Sequence, residues 1–507
     1  MSLMNRAIDF AFAMMRLRVL SPEGEGSYVT AITFYLIVEI VTRFGLGTLL
    51  TRDVAFDKRR ARKYLWNVIS LRTLLWLASL PVLAVTLYFF QHSPTPLTAA
   101  EAQAIALFIA ALFFANIADA LSSVFMAFEK MEYPAANATA ITVAKVALGG
   151  LVLLPPLNAG FVGLAAVSVV MNFVQVIWLW ITLEQKVLRP HEAQLAAEDT
   201  ETVGARSPRP SSAAKRFDWG LQRYMLRESG PLMINHLLAT VFWRISQLVL
   251  RAAVNPAAVG IFSAGIKYVD GLNVIPAYFT AAIFPLMSRY AQAGSDAFVK
   301  AYRLALQLLF IVALPIAVFF TFEATTLIRI LGGAAYLPDS AIALRIMIWS
   351  IPIGFINSVT QYALIAVNQQ RYLTRAFVIG VAFAAVSNWL LVPRFGAAAA
   401  AALLIPAELS LFIPFAWAVH RYIAPMPWLA MIGRPLLATA VNLAIVWGLE
   451  RAGVPTILGV AIGFAVYVGV LFVLGAFLGE EFAVLCNMLN RRLLRAVPVT
   501  SAYGHAW

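Results

Sequence analysis

The sequence predicts an all-α, polytopic membrane protein with about 14 transmembrane helices. Of its 507 residues, 61% are hydrophobic and only 12% are charged, whereas a soluble globular domain is about 45–50% apolar and about 25% charged. The mean hydropathy is +0.81, and the apolar residues occur in runs long enough to cross a bilayer as helices. The single cysteine, Cys486, excludes an internal disulfide bond.

Fourteen apolar runs are candidate membrane spans. They comprise residues 4–20, 28–50, 69–91, 104–128, 135–154, 161–183, 231–254, 260–290, 304–322, 341–367, 374–392, 397–420, 435–449 and 456–478. The first run is short and carries Asp9 and Arg16, each of which costs about 2.5–3.5 kcal/mol at a helix centre. We expect either an unusual first helix or one whose first turns lie upstream of the recorded start.

Basic residues are concentrated in every second loop between these runs. Six lie between residues 52 and 63 and eight between residues 184 and 227, whereas the third, fifth and seventh loops contain none. Because cytoplasmic loops carry the excess of Lys and Arg, we expect both termini and the even-numbered loops to be cytoplasmic. This topology accounts for the net charge of +13, so nucleic acid is not an expected partner.

A long polar stretch divides the chain. Residues 184–227 mix charges with Pro, Ser and Gly, a composition that cannot bury apolar surface and is typical of a flexible linker. We therefore predict an N-lobe (1–183, spans 1–6), a cytoplasmic linker (184–227) and a C-lobe (228–421, spans 7–12). Two extra C-terminal helices (422–480) and a cytoplasmic tail (481–507) follow.

The two predicted lobes resemble each other at an offset of 234–239 residues. The matched segments are Pro22 to Tyr28 with Pro256 to Phe262, Leu80-Pro81 with Leu314-Pro315, Ala127 to Tyr133 with Ala366 to Tyr372, and Pro156/Gly160 with Pro393/Gly396. The alternative is that membrane hairpins in general use Pro and Gly at turns. A six-span repeat preserves orientation, which predicts two parallel six-helix lobes related by an axis along the membrane normal, with a substrate site between them.

Ionisable residues inside the spans are candidates for function, because their insertion is costly. The cationic candidates are Arg43, Lys145, Arg244 and Lys267, which we predict to line a wet cavity that binds an anionic headgroup. Candidates for ion coupling are Glu39, Asp119, Asp270 and Glu408. Structural pairing remains the alternative for each group, particularly for Glu39 and Arg43, which are spaced as a helical ion pair.

Three other charged residues lie close to the ends of predicted spans. For Arg251, Glu323 and Arg345 we expect side chains that extend towards the membrane surface.

No enzyme constellation is evident in the sequence. The five histidines are scattered, and neither a phosphate-binding loop nor a zinc-ligand spacing occurs. The sequence therefore predicts no catalytic residues, no metal site and no cofactor.

Five segments resemble motifs of the polysaccharide transporter (oligosaccharide flippase) family, within the multidrug/oligosaccharidyl-lipid/polysaccharide exporter superfamily. They are residues 20–28 (LSPEGEGSY), 44–55, 127–133 (AFEKMEY), 259–264 (VGIFSA) and 284–289 (FPLMSR), and the resemblance extends over residues 10–420. Lys267 falls where the family often has arginine. The chain departs from the family at Arg244-Ile245-Ser246, where members often carry Arg-Ile-Asp, and this puts the coupling ion in doubt.

The resemblance implies a flippase of the bacterial inner (plasma) membrane. Its substrate would be an undecaprenyl-pyrophosphate-linked oligosaccharide for O-antigen, capsule or exopolysaccharide export, moved by alternating access. Membrane lipids, a polysaccharide polymerase and glycosyltransferases are the candidate partners.

Other functions remain open at this point. Two alternatives belong to the same superfamily: a cation-coupled multidrug exporter and a lipid II flippase. A membrane glycosyltransferase or sugar ligase is disfavoured, because the predicted periplasmic loops are short.

Overall fold

The structure is a computed structural model that describes residues 2–194, 217–292 and 296–475. All regular secondary structure within these ranges is helical, which confirms the predicted all-α class. The principal helices are α1 (Ser2–Arg43), α2 (Leu46–Phe56), α3 (Ala61–Gln91), α4 (Ala99–Ala127), α5 (Glu132–Leu153), α6 (Gly160–Leu183), α7 (Trp219–Ala253), α8 (Pro256–Leu272), α9 (Val274–Gln292), α10 (Asp296–Gly332), α11 (Asp339–Met347), α12 (Ile351–Ala366), α13 (Gln370–Tyr422), α14 (Trp428–Arg451) and α15 (Thr456–Val473).

Twelve helical stretches among the described residues are long and apolar enough to cross a membrane. The protein is therefore a multi-pass membrane protein, although the predicted count of about fourteen spans is not confirmed. Two of the twelve stretches contain a residue with non-helical backbone angles, Ser21 (φ 61°, ψ 167°) and Gly396 (φ 59°, ψ −141°). Both breaks fall where the sequence predicts a boundary between spans.

The break at Gly396 folds α13 back on itself. Tyr372 and Tyr422 lie near opposite ends of this 53-residue helix, yet their ring centroids are 5.0 Å apart. A straight helix of that length would extend about 80 Å, so the two arms of α13 run antiparallel. The positive φ at the turn suits glycine, which has no Cβ to clash.

The predicted linker is too wide at both ends. The helical segment that begins with α6 continues to Gln194, where Arg62 of α3 pairs with Glu184 at 3.0 Å and with Glu192 at 2.9 Å. At the other end, Asp218 caps α7 by accepting a hydrogen bond from the Leu221 amide. Residues 195–216 and the predicted tail at 481–507 lie outside the described residues.

Asp218 is also held by a lysine of α3. Lys63 Nζ lies 2.7 Å from the Asp218 carboxylate. This hydrogen bond, followed by the one from the Leu221 amide, lowers the pKa of Asp218 below its usual value. The start of α7 is therefore fixed by local polar contacts that the composition of the stretch does not reveal.

The chain forms two compact units. The first contains Met1–Lys267, Thr325–Leu344 and Phe377–Ala407, and the second contains Tyr268–Ala324, Arg345–Ala376 and Glu408–Trp507. In the first unit α4 is the most buried helix and packs against α6, α1 and α2. The predicted lobes at 1–183 and 228–421, and the extra helices at 422–480, stay predictions.

Two glycines of the first unit bring backbone against backbone. A Cβ on Gly26 would lie 1.7 Å from the Pro256 carbonyl oxygen, and a Cβ on Gly260 would lie 1.9 Å from the Pro22 carbonyl oxygen. These four residues are matched positions of the predicted internal repeat, and each proline faces the other segment's glycine. Such reciprocity is the pattern of a contact around a twofold axis.

Candidate functional site

A cavity of about 650 Å³ lies in the first unit, among helices α1, α2, α3, α4 and α7. Charged groups converge in it from four of these helices, although each helix is predominantly apolar. The lining residues are Glu39, Ile40, Arg43, Gly45, Gly47, Thr48, Thr51, Arg52, Arg72, Asp119, Ser123, Met126, Met233 and His236.

The end of α1 supplies the first ion pair. Glu39 and Arg43 are one turn apart, and Arg43 Nη2 lies 2.9 Å from Glu39 Oε1, as the i, i+4 spacing predicts. The helix ends at Arg43, and Phe44 and Gly45, with positive φ angles of 49° and 71°, interrupt it before α2 begins. This turn places the start of α2 beside the pair.

Arg72 of α3 is the cavity residue that the sequence analysis missed. Its side chain is 2% exposed; Nη2 lies 2.7 Å from Asp119 Oδ2, and Nη1 donates to the Asn116 carbonyl oxygen at 2.7 Å. Asp119 also lies 3.9 Å from Arg43 Nη1. A charged residue near the start of the third predicted span was the available signal.

One network of ion pairs therefore joins Arg43 and Arg72 to Glu39 and Asp119. With Arg52 included and His236 neutral, the cavity lining carries three positive and two negative groups, a net formal charge of +1. The Nε atoms of Arg43 and Arg72 are buried and have no hydrogen-bond partner among the described residues. The network can hold an anion only by sharing arginines that already contact carboxylates.

The other three cationic candidates lie elsewhere in the first unit. Lys145 Nζ donates to Asn172 Oδ1 at 2.6 Å, and Asp9 interacts electrostatically with both Lys145 and Lys267. Arg244 Nη1 donates to Gln247 Oε1 at 3.3 Å. The 650 Å³ cavity includes Arg43 but none of these three, so a single cavity shared by all four stays a prediction.

The second unit contains the other two coupling candidates. Glu408 on α13 is 3% exposed, and Asn357 Nδ2 donates to its Oε2 at 2.7 Å and to its backbone oxygen at 2.9 Å. The remaining oxygens of both side chains, Glu408 Oε1 and Asn357 Oδ1, are buried without a hydrogen-bond partner among the described residues. Asp270, by contrast, is exposed on α8.

The expectation that Arg251 and Glu323 extend to the membrane surface is wrong. Arg251 is 1% exposed and forms a two-point ion pair with Glu101, with nitrogen–oxygen distances of 2.6 and 2.8 Å. Glu323 is 5% exposed. In each case the side chain lies within the protein rather than at the surface.

A second buried ion pair accounts for a charge in the short first span. Arg16 lies 2.6 Å from Glu25, and its guanidinium carbon is 4.0 Å from the ring centroid of Tyr28. Because Glu25 neutralises Arg16 and the Tyr28 ring covers its guanidinium group, the charge is not exposed to the hydrocarbon of the bilayer.

Comparison with known proteins decides the family. A family model described as "Polysaccharide biosynthesis protein" matches residues 1–291, more than half of the chain. The chain belongs to this family. The resemblance drawn from the sequence motifs is thereby confirmed at family level, whereas no curated protein matches the chain in a sequence search.

Solved transporter structures share the fold of this family member. The lipid II flippase MurJ in an inward closed conformation superposes with a TM-score of 0.70 at 13% identity, covering 94% of this chain and 98% of MurJ. An inward-facing multidrug resistance transporter of the MATE family gives 0.66 at 14% identity, covering 82% and 94%. A transporter of the MOP superfamily from Pyrococcus furiosus, described as having a binding pocket of reverse polarity, gives 0.54 at 13% identity, covering 83% and 92%.

Proposed function

We propose that this protein flips a lipid-linked oligosaccharide, an undecaprenyl-pyrophosphate sugar, across the bacterial inner membrane. The product would be used in O-antigen or other polysaccharide export. The observation that carries the proposal is a charged cavity built between membrane helices in a member of a polysaccharide biosynthesis family. Polysaccharide polymerase and glycosyltransferases are the proposed partners, and both termini are proposed to be cytoplasmic.

The physical obstacle to flipping is the headgroup. A charged pyrophosphate is strongly disfavoured in hydrocarbon, whereas the polyprenyl tail can remain in the bilayer. Arginine side chains offer paired N–H donors that match phosphate oxygens, and Arg43, Arg52 and Arg72 all line the cavity. The volume of about 650 Å³ lies within the usual range of ligand pockets, about 300–1,000 Å³.

Lys145, Lys267 and Arg244 are the proposed further contacts. Asp9 lies within electrostatic range of both lysines, so an arriving phosphate would compete with a carboxylate for them. This competition favours a substrate of higher charge than a single carboxylate. Alternating access would then expose these groups to each side of the membrane in turn.

The extent of the structural likeness supports a lipid-linked substrate over a drug. MurJ covers 94% of the chain, whereas the multidrug transporter covers 82%, so more of this chain has a counterpart in the lipid flippase. Lipid II flipping is therefore the second candidate function. Both candidates share the pyrophosphate and the polyprenyl tail and differ in the sugar.

We propose Glu408 as the first choice among the ion-coupling candidates, with a proton as the ion. Burial of an unpaired charge is costly, and no cation lies within ion-pair distance of Glu408 among the described residues. Protonation removes the charge and gives Glu408 a hydrogen to donate. Glu39 and Asp119 are weaker candidates, because arginines already neutralise them.

The first test is export in cells. The variants Lys145→Ala, Arg244→Ala and Arg43→Ala replace the chromosomal gene, and surface polysaccharide and membrane protein level are measured. We expect normal insertion with export lost, whereas Arg59→Ala in an exposed loop serves as the matched control. Normal polysaccharide in both the Lys145 and Arg244 variants would refute the assigned site.

The second test separates the two candidate substrates. Purified full-length protein in proteoliposomes is given either a lipid-linked export oligosaccharide or lipid II, and movement to the opposite leaflet is measured. Preference for the former supports the proposal, and preference for lipid II supports the second candidate. A drug-efflux assay with organic cations should give no transport.

A further inference from the structure

An exposed patch rich in arginine and aromatic residues lies in the second unit, where the two ends of α13 meet. The turn after α12 starts this helix, and the break at Gly396 returns its second arm to the same end. The ring centroid of Tyr372 lies 5.0 Å from that of Tyr422 and 5.6 Å from that of Trp417. We call the following set the arginine–tyrosine patch: Arg371, Tyr372, Arg375, Trp417, Arg421 and Tyr422.

Two arginines of the patch, Arg371 and Arg375, are positioned by an aromatic ring rather than by carboxylates. The guanidinium carbons of Arg371 and Arg375 lie 5.3 and 5.1 Å from the Tyr372 ring centroid, within the usual distance of a cation–π contact. Among the described residues, no carboxylate lies within ion-pair distance of Arg371, Arg375 or Arg421. The patch therefore presents exposed guanidinium groups whose positive charge no described carboxylate neutralises.

The surrounding sequence supplies almost no negative charge. Between Asp339 and Glu450 the only acidic residue is Glu408, which is buried. The matched turn of the first repeat, residues 127–133, instead carries two glutamates and one lysine. The turn that starts α13 therefore carries a positive charge without the acidic residues found in the matched turn at residues 127–133.

The apolar neighbours of the patch indicate which anion it receives. Ile413 and Trp417 are one helical turn apart on α13, and they are 68% and 55% exposed. Such a face suits acyl chains, while Trp and Tyr beside it are typical of the membrane interface. A soluble anion without an apolar part would leave this apolar face uncovered.

We propose that the arginine–tyrosine patch binds the headgroup phosphate of an anionic phospholipid, with its acyl chains along Ile413 and Trp417. Arginine matches phosphate oxygens through paired hydrogen bonds, and basic clusters beside membrane helices attract anionic lipids. This site is separate from the cavity of the first unit and does not depend on the proposed flippase function.

The test measures lipid binding directly. Full-length protein is purified in mild detergent and delipidated, and phosphatidylglycerol binding is measured by native mass spectrometry, with phosphatidylcholine as the zwitterionic comparison that has no net charge. The variant R371Q/R375Q removes two arginines of the patch. The matched control R59Q/R60Q removes two exposed arginines from another predicted cytoplasmic loop. In that loop Arg60 already pairs with a carboxylate, that of Asp57.

Each arginine near an anionic surface contributes about a factor of five in affinity. We therefore expect R371Q/R375Q to bind phosphatidylglycerol about 25-fold more weakly than the unmodified protein, with R59Q/R60Q unchanged. Equal losses in both double variants would mean general charge attraction and would overturn the site. Unchanged binding in R371Q/R375Q would overturn it too, as would inorganic phosphate binding as tightly as the lipid. If R371Q/R375Q does not fold, R421Q is judged by the same criteria with a loss of about fivefold.

Discussion

Replacing Glu101 with glutamine tests whether the buried ion pair with Arg251 stabilises the first unit. The two side chains are 0% and 1% exposed, so Glu101→Gln leaves the guanidinium charge of Arg251 buried without its counterion. Breaking a buried pair in this way costs about 3–5 kcal/mol. Because Arg251 keeps hydrogen bonds to the carbonyl oxygens of Thr95 and Pro96, we expect the lower end, about 3 kcal/mol.

A double-mutant cycle separates pairing from general damage. If Arg251→Gln also costs about 3 kcal/mol, independent effects would add to about 6 kcal/mol in the double variant. Since the double variant leaves no unpaired charge, we expect a loss well below that sum, with a coupling energy of at least about 2 kcal/mol.

The assay is reversible unfolding of the purified full-length protein in mixed micelles, followed by tryptophan fluorescence. The control is Arg62→Gln, which breaks two partly exposed ion pairs, with Glu184 and Glu192, and should cost far less. Additive losses in the Glu101 and Arg251 cycle would refute the reasoning, because they would mean that the two groups stabilise the fold independently.

Three further outcomes follow from the described contacts. Gly26→Ala should destabilise the protein by about 3 kcal/mol, the upper end of the usual cost of overpacking, measured in the same unfolding assay, because its Cβ would lie 1.7 Å from the Pro256 carbonyl oxygen and a backbone oxygen cannot move aside as a flexible side chain can. Arg72→Gln should cost less than Glu101→Gln in that assay, because Asp119 is 32% exposed and keeps a second arginine nearby. The pKa of Asp218 is lowered, so its contribution to the stability of the start of α7 is present above the usual aspartate pKa, about 3.9. This contribution is lost as the pH falls through the lowered pKa, and hydrogen exchange of the first turn of α7 should then rise.

The helices were predictable from the sequence because apolar length is a local property. The breaks at Ser21 and Gly396 were predictable as well, since each lies in a turn signal containing Pro or Gly. The linker was predicted too widely, because its helical ends depend on contacts with α3. Composition reports whether a stretch can form a core, but not whether a neighbouring helix holds its ends.

The charges inside the membrane were harder to interpret. Glu39 and Arg43 could be paired from their spacing along one helix, and the structure shows that contact. Arg72 with Asp119 and Arg251 with Glu101 are 47 and 150 residues apart, so no local pattern links them. Whether a charged residue in a span is exposed or neutralised is decided by tertiary packing, which the sequence does not display.

The reciprocal contact of Gly26 with Pro256 and of Gly260 with Pro22 has the form expected of two copies of one segment that meet in a symmetric dimer. A half-length ancestor that dimerised about a twofold axis would form both contacts with one glycine and one proline. After fusion of two copies, the same backbone contact needs glycine at two separately encoded positions, and each position can mutate independently. In a chain formed by such a fusion, a side chain at either glycine is enough to separate the backbones, so this contact can fail at two positions instead of one.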